Sequence, residues 1–123
     1  MAYPERKVLV VDDHDQIRSL IVDYVDSESG YTVVGEAVNG EEAIRMAAEL
    51  QPDLIFMDIS MPVMSGVEAI QVIKERHPSI RIIIVTIHEG QMYHTIADRL
   101  HVDGYISKNS FVADLRAVLR KLK

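Results

Sequence analysis

Five residues of this chain have side chains suited to handling a phosphoryl group: Asp12 and Asp13 in tandem, Asp58, Thr86 and Lys108. Three carboxylates brought to one place repel one another, and taking them out of water sharpens the conflict. A hard divalent cation relieves it. Mg²⁺ prefers oxygen ligands, keeps several of its waters and takes one or two carboxylates beside a phosphate. A threonine hydroxyl donates a hydrogen bond to a phosphoryl oxygen, and a lysine ammonium neutralises one as a point charge. Together these groups would make a phosphoryl-transfer site with metal ligands, anion clamps and a carboxylate nucleophile. Singly, each has a plainer role. A tandem Asp pair caps a helix, Asp58 fits a turn, Thr86 is a β-branched strand residue and Lys108 is a surface charge. The plain roles do not predict a common location, so the question passes to the elements that carry these residues.

Short apolar runs alternate along the chain with amphipathic stretches. The runs are Val8 to Val11, Thr32 to Val34, Leu54 to Met57, Ile82 to Val85 and Gly104 to Ile106. They are apolar on both parities, as strands buried on both faces should be. Between them, Ile17, Leu20, Ile21, Tyr24 and Val25 follow helical spacing. Further stripes are Ala43, Ile44, Ala47 and Leu50; Val67, Ile70 and Ile73; Tyr93, Ile96, Ala97 and Leu100; and Phe111, Leu115, Val118, Leu119 and Leu122. Asn39 with Glu42 and Ser65 with Glu68 have capping-box spacing. Pro52 and Pro78 each stop a helical stretch ahead of a strand. Arg116, Arg120, Lys121 and Lys123 load the end of the last helix, where cations suit the helix dipole.

Five βα repeats predict a doubly wound α/β fold, a parallel sheet with five helices divided between its faces. Ligands of such a sheet bind beyond the carboxyl ends of its strands. Asp12 and Asp13 follow the first strand, Asp58 the third and Thr86 the fourth, and Lys108 comes after Ser107 at the end of the fifth. The candidate residues therefore converge on one rim.

Composition narrows the function classes. The 123 residues fit one domain, predicted over 1–123, with a single real core. With 13 Lys and Arg against 19 Asp and Glu, the net charge of −6 lacks the electrostatic footprint of a nucleic-acid or anionic-membrane binder. With no cysteine, disulfides, zinc–thiolate sites, iron–sulfur clusters and thiol nucleophiles are excluded. Asp12 and Asp13 end the first apolar run after Val11, too early for a signal peptide or a spanning helix, so the cytoplasm is the expected location.

The stretches VVDD at 10–13, DISMPVMSG at 58–66, VT at 85–86 and DGYISK at 103–108 resemble the signature of response-regulator receiver domains of two-component signalling. The resemblance runs from about Lys7 to the end of the chain. It implies a flavodoxin-like sheet of strand order 2-1-3-4-5. It also implies that Asp58 accepts a phosphoryl group from the phosphohistidine of a histidine kinase or phosphotransfer protein. Asp13, Asp58 and the backbone carbonyl of Ser60 would hold Mg²⁺ directly, with Asp12 acting mainly through a metal-bound water. Thr86 and Lys108 would hold the acyl phosphate. Tyr105 would be the switch aromatic, turning inward as Thr86 moves toward the phosphoryl group. The surface of the fourth helix, fifth strand and fifth helix would then change its partner preference, and a homodimer through the fourth and fifth helices fits the same scheme. No output domain is expected within these residues. The chain would be a stand-alone receiver or part of a longer helix-turn-helix transcriptional regulator.

Two departures from the family pattern stand out. Asn109 follows Lys108 where proline, often cis, is usual, and a cis bond without proline costs about 3 kcal/mol. Ile87 follows Thr86 where a small residue is usual. Ser60 and His88 occupy the positions expected to tune phosphoryl lifetime. Pro62 and Gly66 are backbone residues, the one fixing φ and the other permitting a tight turn. The five histidines (His14, His77, His88, His94 and His101) show no metal spacing and fit surface or helix-end positions.

Other chemistries fare less well. Gly35 to Gly40 has phosphate-loop glycine spacing, but Glu41 stands where lysine is required. His88-Glu89 begins a metalloprotease pattern that Met92 breaks. The enzyme alternative is a small Mg²⁺-dependent phosphatase using an aspartyl nucleophile, which wants a second Asp where Ser60 stands. A flavin-binding electron carrier is a third reading, opposed by the acidity of the rim.

Overall fold

The computed structural model describes residues 5–59, 65–86, 95, 98–107 and 111–122. Five parallel strands, β1 (Arg6–Val11), β2 (Tyr31–Ala37), β3 (Leu54–Asp58), β4 (Arg81–Thr86) and β5 (Gly104–Ser107), form one sheet. Their order is β2-β1-β3-β4-β5, as the resemblance implied. The helices among the described residues are α1 (Asp15–Ser27), α2 (Gly40–Leu50), α3 (Gly66–Arg76) and α4 (Phe111–Lys121). The expected helix around Tyr93 to Leu100 falls mostly outside these residues; Thr95, Asp98 and Arg99 of that stretch are helical.

Side chains alternate across a strand, so each central strand feeds two cores. Leu9 and Val11, Ile55 and Met57, and Ile82 and Ile84 face one cluster, closed by Ala43 and Ala47 of α2 and by Ala69, Ile70 and Ile73 of α3. Val8 and Val10, Leu54 and Phe56, and Ile83 and Val85 face the other, closed by Ile21 and Val25 of α1 and by Leu115 and Leu119 of α4. This is why β1, β3 and β4 read as continuous apolar runs. Burial on both sides at roughly 25 cal/mol per Å² is what holds helices to both faces.

Both predicted caps form. Asn39 Oδ1 accepts from Glu42 N at 2.9 Å, and Ser65 Oγ accepts from Glu68 N at 3.3 Å. Strand β2 departs from expectation. It is longer than the Thr32 to Val34 run, and residues 32–35 are only half-buried. An edge strand has one neighbour, and β2 pairs β1 alone, with a register irregularity between Val8 and Leu9, which face Val33 and Gly35. Gly35 also lies under α2, where a Cβ would meet Leu50 Cδ1 at 2.7 Å.

Candidate functional site

The buried polar or charged residues among those described are Asp12, Asp58, Thr86 and Ser107, at 0, 4, 1 and 7% exposure. All four sit at the carboxyl ends of strands, Asp12 just after β1 and the others as the last residues of β3, β4 and β5. Burying such groups is costly unless they are satisfied or in use, so their placement at one rim is informative. The register explains how they meet. Val11 pairs with Met57, so Asp12 and Asp58 are the next residues on adjacent strands, which run about 4.8 Å apart. Asp58 pairs with Val85, and Thr86 pairs with Ser107. Tyr105 pairs with Ile84 and lies diagonal to Thr86 on the same face of the sheet, half-buried against the α2/α3 core.

The start of α1 shapes the acidic end of the rim. Asp12 N donates to Ala37 O at 3.1 Å, extending the β1–β2 ladder by one bond. Asp12 Oδ1 accepts from His14 N at 2.9 Å, so this carboxylate braces the turn into α1. Asp13 is half-buried, and its Oδ1 is inaccessible to water and accepts no hydrogen bond among the described residues. An oxygen shielded from water without a donor is costly for a carboxylate and is what a hard cation requires of a ligand. One ligand atom each from Asp12, Asp13 and His14 lie within 4.8 Å of one another. His14 Nδ1 is 3.5 Å from Asp13 Oδ1, on a ring 73% exposed. The residues present thus fit an oxygen-seeking divalent cation.

On the other side of Asp58, the backbone is packed to its limit. Gly66 N donates to Ile59 O at 3.3 Å. A Cβ on Gly66 would stand 2.2 Å from Asp58 O and 2.6 Å from Ile59 Cα. The turn ahead of Gly66 lies in residues outside those described; among the described residues Gly30 has positive φ, and Gly66 is the first residue of α3. Gly66 lets the first turn of α3 lie against the main chain of Asp58.

Ser60 and Lys108 lie outside the described residues, as do Pro62, Ile87, His88 and Asn109. The structure therefore brings together Asp12, Asp13, Asp58 and Thr86, with Tyr105 adjacent. Two neighbours escaped the sequence reading. His14 is the N-cap of α1, a helix end as its position in the sequence suggests, but its closeness to both aspartates depends on the turn that Asp12 makes. Arg18 is the second. Its Nη2 donates to Asp15 Oδ1 at 2.7 Å, its Nε to Glu36 Oε1 at 3.0 Å and its Nη1 to Asp12 O at 2.8 Å. The spacing of Asp15 and Arg18 on one helix hints at the first bond; the other two depend on the turn after β1 and on β2.

A doubly wound parallel sheet with buried aspartates and a threonine at its carboxyl rim places polar side chains where such folds bind their ligands. Comparison with known proteins is more specific. The family model of the response regulator receiver domain matches residues 8–120. The response regulator protein VraR of Staphylococcus saprophyticus is 40% identical over 117 residues, covering 94% of this chain and 55% of that protein. The transcriptional regulatory protein YdfI of Bacillus subtilis is 43% identical over 104 residues, 85% of this chain and 48% of that protein. The crystal structure of a LuxR-family two-component response regulator from Aurantimonas superposes with a TM-score of 0.90 at 31% identity, over 96% of this chain and 84% of that one. The chain belongs to the response regulator receiver family and is a receiver domain of two-component signalling. It spans about half the length of the curated relatives it matches.

Proposed function

We propose that this receiver domain takes a phosphoryl group from the phosphohistidine of a histidine kinase or phosphotransfer protein onto Asp58. The observation that carries the proposal is the gathering of Asp12, Asp58 and Thr86, all buried, at adjoining strand ends. In the transfer an Asp58 carboxylate oxygen attacks phosphorus, the phosphorus–nitrogen bond breaks, and the imidazole leaves with that electron pair and takes up a proton. The product is an acyl phosphate. Asp12, Asp13, Asp58 and the Ser60 carbonyl would hold Mg²⁺, which when bound offsets negative charge on the transferring group. Asp13 Oδ1, shielded and without a donor among the described residues, supports that assignment. The Thr86 hydroxyl donates to one phosphoryl oxygen and the Lys108 ammonium pairs with another, so these two complete the site.

Phosphorylation adds about −1.5 to −2 charge and three acceptor oxygens. Those oxygens draw Thr86 inward, and the diagonal position of Tyr105 suits it to follow into the vacated space. The Tyr93 to Leu100 segment, the fourth of the five helices expected from the sequence, then presents a changed surface together with β5 and α4, for a partner or a second copy. Differential contacts of a few kcal/mol suffice to invert such a population. The protein is regulatory, promoting its own phosphorylation and hydrolysis rather than turning over a metabolite. We assign residues 1–123 to one receiver domain acting in the cytoplasm. The likeness to YdfI favours a transcriptional output in the whole protein.

Incubation with acetyl phosphate and Mg²⁺ will add the mass of one phosphoryl group to the intact protein. Chelation of Mg²⁺ or Asp58→Asn will abolish the addition. Undiminished labelling of Asp58→Asn would move the acceptor elsewhere, and steady turnover of a generic phosphate ester would favour a phosphatase.

A further inference from the structure

We propose that Arg18 is a positioning residue for the divalent-cation site, holding the peptide between Asp12 and Asp13 in its ligating orientation. The proposal rests on the reading of that site given above. Arg18 is drawn from α1, yet its side chain is only 14% exposed. Its guanidinium spends its donors on three partners from three segments: the Asp12 carbonyl after β1, Asp15 in the first turn of α1, and Glu36 near the end of β2.

The bond to Asp12 O matters most. That carbonyl belongs to the peptide unit whose other half is the Asp13 N–H, and the unit is planar. Fixing its oxygen fixes the plane from which both carboxylate side chains depart. Asp12 N is already bonded to Ala37 O, and Asp12 Oδ1 to His14 N. With Arg18 on the carbonyl, Asp12 is held at its amide, its side chain and its carbonyl. Charge is not the contribution of Arg18. Asp15 and Glu36 pair with the guanidinium and offset its charge. The contribution is the rigid planar fork, which a lysine ammonium cannot reproduce. Partners that orient metal ligands typically change affinity by about 10–100-fold when removed.

The test is a titration of Mg²⁺ alone into the unphosphorylated protein, read by amide shifts in ¹H–¹⁵N NMR spectra. These spectra also report that each variant is folded. Arg18→Gln and Arg18→Lys should both weaken Mg²⁺ about 10-fold while keeping the dispersed spectrum of the native fold. Tyr31→Phe, which loses a hydrogen bond far from the rim, should bind Mg²⁺ as the unaltered protein does. Unchanged affinity in the two Arg18 variants, or full affinity in Arg18→Lys alone, would overturn the positioning role. Equal weakening in Tyr31→Phe would also overturn it, by tracing the loss to stability. An unaltered protein that fails to bind Mg²⁺ would instead overturn the assignment of the site itself.

Discussion

Residues at the rim are constrained for different physical reasons, and only some of those reasons are written in residue type. Asp12, Asp13, Asp58 and Thr86 announce themselves because their chemistry is in their side chains. Gly66 does not, because its part is an absent Cβ: a methyl group there would collide with the backbone of Asp58 and Ile59. The colliding atoms are main chain and cannot rotate away. Gly66→Ala should therefore cost about 1–3 kcal/mol of stability, seen as a lower urea midpoint with an unchanged slope. A neutral Gly66→Ala would show that α3 stands farther from β3 than described. Thr86 offers a second prediction. Thr86→Val keeps the β-branched shape in a fully buried position and removes the hydroxyl. Phosphoryl labelling of this variant should persist while the phosphorylation-dependent NMR shifts at Tyr105 disappear. Shifts of the original size would separate Tyr105 from Thr86. Arg18 lies at the far end of legibility. Its link to Asp15 is local, but Glu36 reaches it only because α1 folds back alongside β2, a relation no linear pattern reports.

Secondary-structure elements were legible where burial is symmetric. Strands β1, β3 and β4 are covered on both faces and stand out as unbroken apolar runs. Strand β2 extends beyond its apolar run because its continuation carries Gly35 and Glu36, which an edge strand tolerates and a central one would not. Helix starts were legible through Asn39 and Ser65, whose side chains satisfy amides that the helix itself leaves open. Asn39→Ala should cost about 1 kcal/mol in chemical denaturation; no loss would mean that solvent replaces the cap without penalty. The end of α4 is held by a contact that no spacing rule reveals. The Tyr31 hydroxyl at the start of β2 donates to Leu119 O, 88 residues away. Burial pushes the Tyr31 phenol above its ordinary value of 10.0, with Arg6 and Arg81 pulling the other way. A phenol that is a weaker acid folded than unfolded stabilises the fold fully below pH 10.0, and the contribution is lost as pH rises through the raised value. Tyr31→Phe should thus be about 1 kcal/mol less stable near neutrality. The gap should narrow as the solution is made alkaline. A gap that stays constant with pH would show that the two states of the chain ionise Tyr31 alike.

At the scale of the whole molecule, the alternation of strands and helices was enough to predict a doubly wound sheet, and that sheet directed attention to one rim. The strand order came through the resemblance rather than through periodicity, since five βα units can be wound in more than one order. Among the described residues, no helix is long and apolar enough to cross a membrane. The sheet separates two ends with different tasks. Its carboxyl rim gathers the buried polar residues among those described, while the opposite end is closed by bonds in which Lys74 Nζ donates to Asp103 Oδ2 at 3.2 Å and Ile82 N donates to the same oxygen at 2.8 Å. Rim chemistry can therefore be altered without dismantling the packing below it, which is what a phosphorylation-driven switch requires. The central claim concerns which carboxylate becomes covalently bonded to phosphorus, and reductive trapping locates it directly. After phosphorylation with acetyl phosphate and Mg²⁺, borohydride converts the acyl phosphate to homoserine, and peptide sequencing by tandem mass spectrometry finds that residue. Homoserine at position 58 is the predicted result; homoserine at position 12 or 13 instead, or at none of the three, would contradict the account.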